Sequence, residues 1–429
     1  MGDIYRTPNS SNSNNEYNVN PTGANNNNNA NNSNGLSPDY MNSQYLVTEQ
    51  SVNAEQPCRE MSSSPMYRRK SDGLCAVPFD YADLIEAVRQ CKSGVNWKDS
   101  VAGFVKNRFY NCDLLMTQLQ RGTYKLSRYS CFTIREPKVR RIVATNIRDR
   151  VVQRALCNAY LYDALTKDFI PENFACLVGR GTTKARKHLK KIMSEAYEEY
   201  LDSAYICKID IKDYFGSTDH EVAKDAVAKR VDNGWAREYV FNLIDSFDDV
   251  IEKGKGIGLG SQISQLIELT VLDDIDHYIK ETLGIRYYVR YMDDFILICD
   301  SKKTAQKCLV SVEDELAKLK LKVSIKKTYI APLRQGIKFL GFRYDVHDDG
   351  FVSMRVLPEK ISRERRRLRK QLTRFPVEQC DDSFRSWKAN ARQGTSYKLV
   401  QKMNAYYHYN RRKKCRLQEE QKKTSPSTT

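Results

Sequence analysis

The feature that most constrains this chain is a pair of adjacent acids between two β-rich segments. Residues 285–290 and 295–299 have the composition of strands, and the four residues between them read Tyr-Met-Asp-Asp. So short a connection predicts an antiparallel hairpin with Asp293 and Asp294 at its tip. An isolated pair of aspartates is most often only a turn. Here a strand with the composition of a buried one follows directly, and adjacent charges at that place are costly unless something neutralises them.

A third acid belongs with this pair because it ends another predicted strand. Residues 204–211 alternate and are β-rich, and Asp210 closes their apolar part. A carboxylate at a strand end beside two others on an adjoining turn could hold two divalent cations. Hard cations such as Mg2+ need oxygen ligands, and two ions about 4 Å apart contact both the attacking and the leaving oxygen of a phosphoryl transfer. The three acids therefore favour a two-metal phosphoryl-transfer site.

Composition and charge restrict the class of protein. Of the 429 residues 41% are hydrophobic, which suffices for a core and excludes a wholly disordered protein. The formal charge of +17 favours a polyanionic partner, of which nucleic acid is the commonest. The twelve cysteines form no CxxC pair, which argues against a structural zinc site. Without a secretion leader or a stretch of about 18 apolar residues, we expect a cytoplasmic protein that does not span a membrane.

The chain divides into a polar N-terminal segment and a long structured part. Residues 1–70 are rich in Asn and lack apolar periodicity, so we expect a disordered tail; an RNA- or partner-binding arm is the alternative. Apolar spacing predicts helices at 83–91, 97–107, 113–120, 148–165, 182–196, 219–231, 235–246, 262–281 and 302–319. Besides the three strands already named, strands are predicted at 130–134, 140–144, 322–325, 328–331, 337–344 and 351–354. From Pro358 onward the sequence predicts helix and is very basic.

Several motifs, in order along residues 80–345, resemble those of reverse transcriptases. Residues 291–294 resemble the YxDD box, and residues 210–215 (DIKDYF) resemble the first catalytic palm motif. Residues 256–265 (GIGLGSQISQ) resemble the loop-to-helix motif beneath the templating base. Residues 136–140, together with 149–153, resemble the fingers motif of retron, group II intron and diversity-generating enzymes. Residues 173–181 resemble the insertion that those enzymes carry between fingers and palm. Residues 322–328, together with 339–342, resemble the last palm elements, including the primer-gripping hairpin. The chain is therefore identified as a member of the reverse transcriptase family.

The resemblance implies an α+β fold, a right-hand polymerase with an antiparallel palm sheet, fingers and a helical thumb. We expect fingers and palm over residues 71–345, a basic helical thumb over 346–415 and a disordered tail over 416–429. The implied activity is that of an RNA-directed DNA polymerase, a nucleotidyltransferase that copies RNA into cDNA. Its implied partners are an RNA template, a DNA or RNA primer and dNTPs.

The resemblance also assigns roles to the acids. Asp210 and Asp293 are expected to bridge two Mg2+ ions, with Mn2+ as an alternative, while Asp294 supports them. The backbone carbonyl of Ile211 is expected to be a further metal ligand. Phe215 is expected beneath the sugar of the incoming nucleotide, where a ring clashes with a ribose 2′-hydroxyl; otherwise it is a core aromatic.

Other residues are expected to bind the nucleotide. Lys138 and Arg140 lie in the fingers hairpin and would contact the triphosphate, unless they form only a solvated basic turn. Gly260 would allow close approach of the backbone, or merely open a helix. Gln265 is a template-side candidate. Lys327 would protonate the pyrophosphate leaving group, or else is a surface lysine.

A last group is expected to bind primer and template. The basic segment 360–370 follows the predicted palm, which suggests a thumb that tracks the phosphates of an RNA–DNA duplex. The residues implied by these motifs are Tyr291, Met292, Phe339, Leu340, Gly341, Arg363 and Arg366.

The subfamily is implied by residues 259–265. Their sequence, LGSQISQ, fits the [ILV]GxxxSQ pattern of diversity-generating retroelement enzymes, whereas most intron and retron enzymes carry QGxxxSP there. Gln265 thus stands where those enzymes have Pro. This reading implies a bacterial retroelement and an accessory protein oligomer as a partner. A phage-defence reverse transcriptase, or an RNA-binding maturation factor that does not polymerise, are the alternatives.

Overall fold

The computed structural model of the chain describes residues 74–135 and 139–424, with side chains up to residue 417. The predicted tail over residues 1–70 and the predicted ligand Lys138 lie outside the described residues. Among the described residues, no helix has both the length and the apolar character that crossing a bilayer requires. The described cysteines are free thiols.

The N-terminal part is helical and ends in a two-stranded sheet. Its helices are α1 (Tyr81–Cys91), α2 (Asp99–Lys106) and α3 (Arg108–Gln120), and β1 (Ser130–Ile134) pairs antiparallel with β2 (Arg140–Ala144). Helix α1 begins with a capping box, in which Asp80 and Asp83 each accept a hydrogen bond from the other's backbone N–H. The strands predicted at 130–134 and 140–144 are thus present in the structure.

The central part alternates helices with the strands of one four-stranded sheet. Its helices are α4 (Ile147–Leu156), α5 (Tyr162–Thr166), α6 (Thr182–Tyr200), α7 (Tyr214–Ser217), α8 (His220–Ala228), α9 (Gly234–Asp245), α10 (Gln262–Val271), α11 (Asp273–His277) and α12 (Lys302–Lys318). The strands are β3 (Tyr205–Asp210), β4 (Tyr287–Tyr291), β5 (Asp294–Cys299) and β6 (Tyr329–Pro332). They are ordered β4-β5-β3-β6, and every neighbouring pair is antiparallel.

The middle strands of this sheet are buried on both faces. On β3, Cys207 and Ile209 face one apolar core and Ile206 faces another; on β5, Leu297 and Ile296 divide in the same way. Alternating side chains of a strand point to opposite faces, so each strand contributes to both cores. The result is a rigid sheet whose β3–β5 end carries the acids.

The C-terminal part contains a second sheet and three long helices. Strands β7 (Ile337–Phe339), β8 (Phe342–Val346) and β9 (Val352–Val356) form an antiparallel sheet. Helices α13 (Pro358–Arg374), α14 (Val377–Ala391) and α15 (Tyr397–Thr424) follow and share a small core. The predicted boundary at residue 345 falls inside β8, and the helices begin only at Pro358.

Three sequence-based expectations differ from the structure. No strand forms at 322–325, where Val323 makes only an isolated bridge to Ile211. The single strand predicted at 337–344 is two strands, because Phe339 pairs with Phe342 and leaves a two-residue turn at Leu340 and Gly341, both with positive φ. Residues 416–424 are helical rather than part of a tail, since their Gln, Glu and Lys residues are good helix formers as well as polar.

One buried acid ties helix α4 to the segment before β1. Asp149, only 1% exposed, accepts hydrogen bonds from the Tyr124 hydroxyl at 2.6 Å and the Ser127 backbone N–H at 2.8 Å. The guanidinium of Arg148 lies 3.2 Å from the same carboxylate. An acid in the first turn of a helix is also favoured by the helix dipole. Asp149 therefore has a structural role in the predicted fingers.

We expect Asp149→Ala to lower the free energy of unfolding by roughly 2–4 kcal/mol, because it leaves buried donors without an acceptor. The control is Asp382→Ala, which removes an exposed ion pair with Arg385 and should change stability by less than about 1 kcal/mol. Urea unfolding followed by circular dichroism measures both. Equal effects of the two substitutions would contradict the structural role of Asp149.

Candidate active site

The hairpin between β4 and β5 carries two of the acids on a very tight turn. Tyr291 pairs with Asp294, so only Met292 and Asp293 form the loop. Met292 has a φ of 56°, a conformation that L-residues seldom adopt and that two-residue hairpins require at their first loop position. Both Tyr291 and Met292 are buried.

The third acid lies directly across from this turn. Asp210 ends β3 and is the cross-strand partner of Asp294 on β5. The backbone N–H of Ile211 donates to the carbonyl of Asp293 at 3.3 Å, which joins the end of β3 to the turn. The structure therefore brings Asp210, Asp293 and Asp294 to one end of the sheet.

Two lysines form ion pairs with these acids. The Lys327 ammonium lies 2.5 Å from Asp210 Oδ1, although half of the lysine side chain is exposed. The Lys208 ammonium lies 3.0 Å from Asp294 and 2.9 Å from the backbone carbonyl of Lys338 on β7. Lys208 precedes Asp210 by two residues, so both side chains lie on the same face of β3. Lys208 thus connects the acid site to the second sheet.

Burial and repulsion by neighbouring carboxylates disfavour ionisation of Asp293 and Asp294. Burial raises the pKa of Asp293, and the charge of Asp210 raises it further. Burial also raises the pKa of Asp294, to about 6, although Lys208 opposes the shift. Neighbouring carboxylates that repel one another provide the charge and the oxygen donors that a hard divalent cation prefers. In the described part of the chain, the His, Cys, Asp and Glu side chains form no preassembled set of three metal ligands.

The donor chemistry of this site fits Mg2+. Asp210 and Asp293 offer carboxylate oxygens, and the backbone of Ile211 adjoins both of them. Asp210 forms an ion pair with Lys327, and Asp294 forms one with Lys208. A cation bound by either acid would therefore compete with a lysine.

The nucleotide-binding candidates surround the acids to different extents. Arg140 is exposed at the start of β2, and its charge lowers the pKa of Asp293, which puts it on the side of the acids. Phe215 is half-buried in α7, and its carbonyl accepts a hydrogen bond from the Ile257 N–H at 2.7 Å. Lys327 lies in the site itself, against Asp210.

Gly260 lies where the loop before α10 meets the fingers hairpin. Its φ is 137°, and a Cβ on it would stand 2.9 Å from the carbonyl of Val143 on β2. The Val143 N–H donates to the Leu259 carbonyl at 3.1 Å, and the Ser261 hydroxyl bonds to Gln153 at 2.8 Å. The loop is therefore fastened to β2 and α4. Gln265, one turn into α10, is half-buried.

The primer-binding candidates comprise buried side chains, a half-buried turn and two exposed arginines. The ring of Phe339 is 2% exposed and belongs to the core, which contradicts its expected place on a primer-binding surface, while Leu340 and Gly341 form the half-buried turn beside it. For the same reason Tyr291 and Met292 are supports rather than contact surfaces. Arg363 and Arg366 are exposed on α13.

Sequence reasoning missed three residues of the site. Lys208 could have been found from its spacing to Asp210 on an alternating strand. Glu268 and Arg290 are both fully buried ionisable residues, and nothing in a single sequence distinguishes such residues from surface ones.

Comparison with known proteins identifies the family. The family model described as "Reverse transcriptase (RNA-dependent DNA polymerase)" matches residues 134–344. Residues 134–344 thus form a reverse transcriptase domain. The match confirms the predicted family and the α+β right-hand polymerase fold, and the matched domain is that of an RNA-directed DNA polymerase, a nucleotidyltransferase.

Two individual proteins resemble this chain. Protein YkfC of Escherichia coli (strain K12) is 23% identical over 262 residues, which cover 51% of this chain and 67% of YkfC. A solved structure of apo telomerase from Candida tropicalis is 12% identical with a TM-score of 0.41 and covers 54% of this chain. The chain spans about half, 49%, of that telomerase chain.

A buried glutamate beneath the acids gives a pH-dependent prediction. Glu268 on α10 is 0% exposed, and its carboxylate accepts a hydrogen bond from the Thr218 hydroxyl at 2.9 Å. Burial raises its pKa from an ordinary value of 4.5 to about 8, and the charge of Asp293 adds to the shift. Between these two values the folded protein binds one proton more than the unfolded chain does.

The contribution of Glu268 to the free energy of unfolding is therefore fully present below about pH 4.5 and is lost as the pH rises through about 8. We expect Glu268→Gln to remove that part of the decline and to be more stable than the wild type at pH 8. The control is Glu359→Gln, on an exposed position of α13, which should retain the wild-type slope. Urea midpoints between pH 5 and pH 9 measure the slope; parallel curves for all three proteins would refute the prediction.

Proposed function

We propose that the protein copies an RNA template into cDNA by two-metal nucleotidyl transfer. The observation that carries the proposal is the pairing of Asp210 with Asp294 across β3 and β5, with Asp293 on the adjoining turn. Three acids clustered at one end of the sheet are unfavourable for folding, because burial raises the pKa values of Asp293 and Asp294 and the carboxylates repel one another. Such an arrangement is what phosphoryl transfer with oxygen-bound cations needs.

The reaction is attack of a primer 3′-hydroxyl on the α-phosphate of a dNTP. Asp210, Asp293 and the carbonyl of Ile211 would hold the ions, and Asp294 would support them. When bound, two Mg2+ ions lower the pKa of the hydroxyl and stabilise charge on the pyrophosphate. Lys327 Nζ, which lies against Asp210, would give a proton to the departing pyrophosphate.

Arg140 and Lys138 would bind the triphosphate and orient it. Arg140 is exposed and close enough to affect Asp293, and a guanidinium binds phosphate oxygens in a forked geometry. Phe215 would exclude a ribose 2′-hydroxyl. Gly260 and Gln265 would define the loop and helix beneath the templating base.

The exposed arginines of α13 would bind the template–primer duplex through its phosphates. Arg363 and Arg366 are among five arginines within residues 360–370, and α13 follows the second sheet directly. The turn at Leu340 and Gly341 would lie against the primer end. We place this activity in a diversity-generating or related bacterial retroelement because of residues 259–265, with a phage-defence enzyme as the second candidate and an accessory oligomer as a partner of the first.

We expect Asp293→Asn to abolish primer extension on an RNA template with Mg2+, with a loss of at least about 10³-fold, because the turn would lose the charge that holds an ion. The control is Asp349→Asn, an exposed acid on the β8–β9 turn, which should extend like the wild type. The measurement is dNTP incorporation on a defined RNA–DNA hybrid. If wild type and Asp293→Asn extend equally, the site assignment fails; if neither extends but both bind RNA, a maturation factor is favoured.

We expect Phe215→Ala to admit ribonucleotides, because removing the ring opens space for a 2′-hydroxyl. The ratio of kcat/KM for dCTP to that for rCTP should fall by at least about 10-fold, with dCTP incorporation largely kept. Phe215→Tyr, which keeps the ring, is the matched control and should retain the preference for dCTP. A ratio unchanged in Phe215→Ala would show that Phe215 is only a core aromatic.

A further inference from the structure

The largest fully buried side chain described in this protein is a charged one. Arg290 on β4 is 0% exposed, and so is its partner Asp276 on α11. Arg290 Nε lies 2.7 Å and Nη2 lies 2.5 Å from the two oxygens of that carboxylate. The Tyr288 hydroxyl donates to the same carboxylate at 2.5 Å. Both oxygens of the Asp276 carboxylate thus accept hydrogen bonds.

The guanidinium also reaches the catalytic turn. Arg290 Nη1 donates to the carbonyl of Met292 at 3.2 Å, and Nη2 donates to the carbonyl of Leu269 on α10 at 3.4 Å. One side chain therefore connects α10, α11 and the loop residue that precedes Asp293. Met292 has the unfavourable positive φ of this turn, so its carbonyl is where an added hydrogen bond fixes the backbone most directly.

The insertion between fingers and palm holds the same arginine from the other side. The N–H of Arg290 donates to the Glu172 carbonyl at 2.9 Å, and the N–H of Phe174 donates to the Arg290 carbonyl at 3.1 Å. Farther along the insertion, Cys176 Sγ lies 3.9 Å from Met292 Sδ. Both the backbone and the side chain of Arg290 are therefore fixed next to the turn.

A buried ion pair is a poor source of stability, because desolvation of the two charges offsets their attraction. Unlike an apolar pair, however, this ion pair provides a hydrogen-bond donor directed at the Met292 carbonyl. We infer that Arg290, held by Asp276, is a positioning residue that fixes the Met292–Asp293 turn and so keeps Asp293 opposite Asp210. The inference rests on the proposed polymerase function.

The test replaces Arg290 with Lys, which keeps the charge but cannot reach Asp276 and Met292 together. We expect the single-turnover rate at saturating dNTP to fall by at least about 10-fold, while the KM for dNTP changes by less than about 3-fold. Hydrogen exchange of the peptide covering residues 287–299, measured without substrate, should become faster. Rates are normalised to folded protein by circular dichroism.

The matched control is Arg230→Lys. Arg230 forms a comparable ion pair, because its Nη2 lies 2.8 Å from the carboxylate of Asp273. Asp273 is fully buried and lies on α11, the helix that also carries Asp276. No contact of the Arg230 guanidinium with the turn occurs among the described residues. Arg230→Lys should therefore leave both the rate and the exchange of residues 287–299 within about 2-fold of the wild type.

Should Arg290→Lys fail to fold, the double variant Arg290→Met with Asp276→Leu removes both charges and fills the space with apolar atoms. It should fold, exchange faster at residues 287–299 and lose the rate. The inference is overturned if either folded variant keeps the wild-type rate and exchange, or if Arg230→Lys loses them equally. If the wild type incorporates no dNTP, the proposed function fails, and the exchange comparison still decides whether Arg290 holds the turn.

Discussion

Repulsion among three carboxylates is the physical constraint on which the site depends. Asp210 and Asp294 face each other across two strands, and like charges in that position destabilise a sheet. Burial makes the repulsion stronger, because little water is available to screen it. The protein places one lysine on each of these acids, Lys327 and Lys208. The strands can therefore keep a register that brings the acids together.

The rest of the fold holds that register. Because β3 and β5 are apolar on both faces, helices cover the sheet from either side, and a slip by one residue would exchange the two cores. The turn is held in addition by Arg290, whose guanidinium binds Asp276 and the Met292 carbonyl at once. The packing that stabilises the sheet therefore also fixes the positions of the acids.

Much of this could be predicted from the sequence, because the informative patterns are local. The hairpin around Asp293, the strand ending at Asp210 and most helices follow from alternation and apolar spacing over short windows. The two-residue turn at Leu340 was hidden, since an apolar stretch does not show where a strand reverses. Glu268 binds Thr218, 50 residues away, and Arg290 binds Asp276, 14 residues away on another element, so the burial of both depends on the tertiary packing of α10 and α11. Long-range pairings of this kind leave no trace in a single chain.

The contact at Gly260 has a consequence for how this enzyme can vary. Because a Cβ on Gly260 would stand 2.9 Å from the Val143 carbonyl oxygen, any larger residue there would push the loop before α10 away from β2. We expect Gly260 to tolerate few substitutions, whereas the nearby residues Ser261 and Gln153 interact through their side chains and can be replaced more readily. We therefore expect sequence changes in this loop at the side chains beside Gly260 rather than at Gly260 itself.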